Sequence, residues 1–297
     1  MVKRISAFVL SIICIFSLCS CVDQHSEKNK KGDDRIIAAS PATAEICSKL
    51  KIKLVGVCDT SSELPKEYTE LKRIGMTMSP DLELIKSLKP DCVLSPLSLE
   101  NELKSKYEAA KIPYYFVDLS SVDGMFKSIE QMGERFGHEE EAKAVIEEHR
   151  AYMKSFNESI KGRKKPKVLI LMGLPGSYIV ATNKSYVGNL VELAGGENVY
   201  GDENKDFLKA NTEDMKNKNP DIILRAAHAM PDDVKAMFAK EFTENDIWKH
   251  FDAVKNGRVY DLDSTLFNMS ARFNYTQAME RLRELLFEEN AEGMSEG

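Results

Sequence analysis

Histidine is scarce in this chain, and cysteine is scarcer once the amino terminus is set aside. Three of the six cysteines fall at positions 14, 19 and 21, which leaves Cys47, Cys58 and Cys92. An odd set in apolar surroundings makes neither a disulfide framework nor a CxxC metal pair, so these read as buried thiols. Catalytic signatures are missing as well. Gly173-Leu174-Pro175-Gly176-Ser177 is neither a phosphate-cradling P-loop nor a GxGxxG turn. There is no GxSxG elbow, Ser177 has no evident base, and no HExxH helix occurs. The Glu139-Glu140-Glu141 run beside His138 reads as a solvated helix face rather than an acid–base pair. No segment beyond the leader is strongly basic with interleaved aromatics, and Lys+Arg 41 against Asp+Glu 47 gives a net charge of −6. These absences argue against a nucleic-acid partner and point away from an enzyme.

What is present begins with a leader. Lys3 and Arg4 are followed by an apolar run from Ile5 to Phe16, too short for a permanent membrane span. Leu18-Cys19-Ser20-Cys21 then resembles the lipobox of bacterial lipoproteins, with cleavage before Cys21 and diacylglycerol on its thiol. Two acyl chains anchor a protein where one does not. Residues 1–20 are therefore expected to be a signal peptide. Residues 21–34, polar and without apolar rhythm, are expected to be a tether.

The stretch from Val122 to Ile160 organises the rest. Apolar residues recur at helical spacing: Phe126, Ile129, Met132 and Phe136, then Val145, Ile146, Tyr152, Met153 and Phe156. One unbroken helix would span roughly 55 Å. The alternative is two helices broken near Gly133 and Gly137. On each side lie alternating strand and helix signals, which imply parallel strands joined by crossovers. The expected fold is α/β: two lobes with parallel central sheets, residues 35–121 and 162–290, bridged by one long helix over 122–161. In lobe one, Ser40-Pro41 starts a helix, and Ser79-Pro80-Asp81 is expected to start another with Ser79 as its cap.

The lobes share a short pattern. Asp81 to Leu94 and Glu213 to Leu224 each read as a helix, a Lys/Asn-Pro-Asp turn and a buried strand. Two such lobes facing each other enclose a cleft beyond the carboxyl ends of their strands. Met78, just before a helix start, and His228, four residues past Leu224, sit on cleft-side loops of opposite lobes. A thioether and an imidazole placed so are a natural axial pair for haem iron, with the porphyrin between the lobes against an apolar lining. Met76 is a second sulfur on the same loop. The other histidines fit worse: His25 is in the tether, His138 and His149 in the bridging helix, and His250 at a late helix end.

Four segments carry a family resemblance: Met78-Ser79-Pro80-Asp81, Gly173 to Tyr178, Gly188 to Gly196, and His228-Ala229-Met230-Pro231. Over about 35–290 the chain resembles the substrate-binding lipoproteins of siderophore, cobalamin and haem ABC importers. It is most similar to the haem-binding members of the iron-regulated surface determinant type. The resemblance implies a helical-backbone binding-protein fold and no catalysis. It implies haem b as the transported ligand, with Met78 and His228 on its iron. It also implies docking to an ABC permease through Glu45 and Glu192, supply of haem by upstream cell-wall transfer proteins, and a lipid anchor at Cys21 on the outer face of the cell membrane. The alternative within the same fold is a ferric-siderophore binder, for which Arg225 and Lys72-Arg73 are the basic candidates. The alternative outside it is a periplasmic-type enzyme.

Overall fold

The computed structural model describes residues 34–287. The expected signal peptide, Cys21 and all of the expected tether but Asp34 lie outside the described residues.

Lobe one is a six-stranded sheet built from β1 (Ile36–Ala38), β2 (Leu54–Asp59), β3 (Arg73–Met76), β4 (Ser79–Pro80), β5 (Cys92–Pro96) and β6 (Tyr114–Val117). Their order is β4-β3-β2-β1-β5-β6, all neighbours parallel except β3 and β4. Helices α1 (Pro41–Lys49), α2 (Leu82–Ser87) and α3 (Glu100–Ala110) make the crossovers. The Ser40-Pro41 start holds: Ser40 Oγ accepts from Thr43 N–H at 3.1 Å and Thr43 Oγ1 accepts from Ser40 N–H at 3.1 Å, a reciprocal cap with proline at the first helical position. The Ser79 cap does not hold. Ser79-Pro80 pairs with β3 as an edge strand, where proline's missing N–H costs nothing. Asp81 caps α2 instead, accepting from Leu84 N–H at 3.0 Å.

Two helices follow, α4 (Val122–Phe136) and α5 (Glu139–Ile160). The helix expected over 122–161 is therefore a hairpin, broken where Gly137 takes the left-handed conformation at φ 73°. The two helices run antiparallel. A Cβ on Gly133 would lie 2.6 Å from Ala142 Cβ, and the Phe126 and His149 rings stack at 3.8 Å. The bridge itself is real and is carried by α5, about 33 Å long. Its start meets lobe one through Lys51 and Glu141, and its end packs Ile160 against Gly195 of lobe two. Helix α4 crosses the other way: Val122 N–H donates to Asn189 Oδ1 at 3.0 Å, and Arg135 lies over the Tyr115 ring.

Lobe two contains β7 (Lys167–Leu174), β8 (Ser177–Ala181), β9 (Glu197–Asn198), β10 (Phe207–Lys209), β11 (Ile222–Ala227) and β12 (Val259–Asp261). Its helices are α6 (Tyr186–Leu193), α7 (Thr212–Lys218), α8 (Pro231–Glu244), α9 (Asp252–Lys255) and α10 (Tyr275–Phe287). The core β7, β11 and β12 is parallel, but β8 and β10 are antiparallel additions. Leu174-Pro175-Gly176-Ser177 is thus the turn of a β-hairpin, a proline–glycine tight turn rather than part of a crossover. Cys47, Cys58 and Cys92 are buried free thiols. Burial pushes the Cys92 thiol up to about 12 and raises those of Cys47 and Cys58 as well.

A candidate ligand cleft between the lobes

The carboxyl ends of the central strands of both sheets open onto one cleft of about 840 Å³, within the range of small-molecule sites. From lobe one it is lined by the start of α1 (Ser40 to Glu45), Ser61-Ser62-Glu63 after β2, Thr77 and Pro96. From lobe two come His228 after β11 and the loop between β12 and α10, including Asn268-Met269-Ser270, Arg272 and Asn274.

His228 lies where the sequence places it. Its N–H donates to Gly173 O at 3.0 Å, which carries the β7–β11 pairing one residue past the strand. The side chain is exposed and faces the cleft. Two residues on, Met230 adopts a left-handed φ of 48° and Pro231 begins α8, so the 228–230 loop is short and held at both ends. On the opposite lobe, Thr77 and Met78 form the two-residue tip of the β3–β4 hairpin. Thr77 lines the cleft. Met78 is 70% exposed and Met76 65%. Neither sulfur is among the residues lining the cleft, whereas their neighbour Thr77 is. Geometry brings His228 and the Met78 hairpin to one cleft and leaves both methionines accessible.

The lining differs from the apolar one expected. It is mostly serine, threonine and asparagine. The reason is local: the turns beyond the strands need these side chains as caps. Asp263 Oδ1 accepts from Thr265 N–H at 2.8 Å, and Asn268 Oδ1 accepts from Ser270 N–H at 3.0 Å.

Glu45 is not the free surface carboxylate expected. It lines the cleft and takes an ion pair from the other lobe: Arg272 Nε donates to Glu45 Oε1 at 2.9 Å, and Nη2 donates to the same oxygen. Both side chains are about one-fifth exposed. Glu192 is exposed on α6, as expected. Of the basic candidates for a siderophore, Lys72 is exposed and the two arginines are used structurally. Arg225 makes a two-pronged pair with Asp261 and lies over Phe242, while Arg73 donates to the carbonyls of Cys58 and Thr69. Arg272 was not legible as a site residue. It joins the cleft only through a contact 227 positions away in sequence.

Residues 36–266 match the family described as periplasmic binding protein. The chain belongs to the periplasmic binding protein family. It is 42% identical over 289 residues to the high-affinity heme uptake system protein IsdE of Staphylococcus aureus strain Newman, covering 97% of this chain and 98% of that protein. Among solved structures, an ABC transporter substrate-binding protein of Listeria monocytogenes EGD-e superposes with a TM-score of 0.83 at 46% identity, over 88% of this chain and 100% of that one. The S. aureus IsdE complexed with heme superposes with a TM-score of 0.81 at 43% identity, over 86% of this chain and 100% of that one. The family and these relatives are binding and transport proteins. Among the described residues no helix is long and apolar enough to cross a membrane.

Proposed function

We propose that this protein is a cell-surface haem-binding lipoprotein that receives haem and delivers it to an ABC importer. One observation carries the reading: His228 from one lobe and the Met78 hairpin from the other open onto the same interlobe cleft. Whole-length similarity to a heme uptake protein supports it. The imidazole of His228 and the thioether of Met78 are the two axial ligands of the iron, a nitrogen–sulfur pair suited to six-coordinate haem. A ferric-siderophore role is less well served, because none of its basic candidates, Arg225, Lys72 and Arg73, lines the cleft.

Docking to a permease uses Glu192, which is exposed on α6. Glu45, paired with Arg272, would have to leave its partner to take part. Cys21 carries the lipid that holds the protein at the outer face of the membrane, within reach of cell-wall haem donors. The test is titration of the purified protein with haem and, separately, with ferric siderophores. A saturable one-to-one Soret band with haem, and no siderophore binding, is the expected result. Binding of a ferric siderophore without a Soret band overturns the reading.

A further inference from the structure

Among the described residues lining the cleft, Arg272 is the one permanent cation. Its position is unusually well fixed. The preceding Ala271 N–H donates to Leu119 O of the opposite lobe at 2.8 Å, and Tyr275 N–H at the start of α10 donates to Arg272 O at 3.0 Å. The guanidinium reaches across the lobe junction to Glu45 and places both its Nε and Nη2 donors on the single oxygen Oε1. A guanidinium offers five N–H groups in a rigid planar fork that suits carboxylates. The Glu45 contact therefore occupies one edge of the fork and leaves donors for a second anion.

We infer that Arg272 is the anchor for a carboxylate of the transported ligand and that Glu45 is a built-in competitor for the same cation. The inference rests on the haem reading above. Haem is an apolar plate with two propionates, so its charge is confined to one edge. A buried carboxylate needs a partner, and the cleft supplies one cation for it. Glu45 holds that cation, and Glu63 adds a second negative group to the lining of the same cleft. They oppose any further anion, so capture stays reversible, as delivery to a transporter requires. Arg272 thus reads the charged edge of the ligand, while His228 and Met78 read its iron.

The test uses the full-length protein and two ligands followed by their Soret bands: haem, and haem dimethyl ester, which has the same iron and ring but no carboxylates. Charge-assisted hydrogen bonds imply that Arg272→Gln weakens haem about tenfold or more. Its affinity for the ester stays within about twofold of wild type. Arg272→Lys recovers part of the loss for haem. Glu45→Gln tightens haem and leaves the ester alone. The double variant Glu45→Gln with Arg272→Gln removes both charges together, so no orphan charge disturbs the fold; it weakens haem and spares the ester. Equal losses for haem and ester in Arg272→Gln and in the double variant mean a merely structural role and overturn the inference. Unchanged haem affinity in those variants overturns it too. A wild-type protein that takes up neither ligand removes the haem reading itself, and the absent wild-type Soret band distinguishes that outcome from the others.

Discussion

At the amino-terminal ends of their strands the two lobes turn the chain in the same way. Lys89 and Asn219 both adopt left-handed conformations, φ 47° and 46°, and a proline follows each. Asp91 N–H then donates to Arg35 O while Asp91 Oδ2 accepts from Arg35 N–H at 2.8 Å. Asp221 does the same with Lys167, at 2.7 Å for its side chain. At the other ends of the strands the lobes part company. Lobe one presents a hairpin tip with two exposed methionines, whereas lobe two presents a short histidine loop running into α8. The closed corners answer to backbone geometry alone, so one solution serves both lobes. The open mouths are where the proposed ligand would take a different group from each lobe, Met78 from one and His228 from the other.

The joint that holds the lobes together is the place to break this arrangement most severely. Gly133 faces Ala142 where α4 crosses α5. Gly133→Leu forces the helices apart and is expected to destabilise by about 3 kcal/mol, at the upper end for overpacking. Chemical unfolding measures it, and a loss below 1 kcal/mol would mean that the hairpin yields easily.

The corners sharpen the comparison. Asp91→Ala and Asp221→Ala each remove a charged acceptor from a backbone N–H and are expected to cost about 1–2 kcal/mol. The two losses should match within experimental error, since the corners match. A large effect in one lobe and none in the other would show that the resemblance of the corners is geometric only.

The smallest effect concerns His149, which stacks on Phe126 and accepts or donates to Tyr275 Oη at 2.9 Å. Burial lowers its pKa below the ordinary 6.5, with Arg150 adding to the shift and Asp123 opposing it. The unfolded chain therefore binds the proton first. Stability from this group is complete above about pH 6.5 and falls as pH drops below that value toward the depressed folded pKa. His149→Phe should retain the stack and lose that pH dependence, read as the change in denaturation midpoint between pH 7.5 and 5.5. An unchanged difference would place the acid sensitivity elsewhere.

These elements also show what was legible. The Ser40 cap, the paired Pro-Asp corners and the position of His228 follow from short-range rules, and each holds in the structure. The reversal between α4 and α5 was hidden because apolar spacing is helical on both sides of Gly137, and periodicity carries no sign of direction. Strand β8 follows directly on a proline–glycine turn and β10 has only three residues, so they left little pattern. The Glu45–Arg272 pair is a product of the tertiary fold, and no local rule links an acid in the first helix to a base ahead of the last.

Unequal mouths around one haem are the centre of the account, and the spectra of the two mouth variants test it most directly. Absorption and magnetic circular dichroism would be recorded for haem-loaded wild type, Met78→Ala, Met76→Ala and His228→Ala. The account predicts a six-coordinate low-spin spectrum for wild type and for Met76→Ala. It predicts a shifted Soret band with weaker binding for Met78→Ala, and marked loss of haem for His228→Ala. A wild-type spectrum that persists in both Met78→Ala and His228→Ala would contradict it.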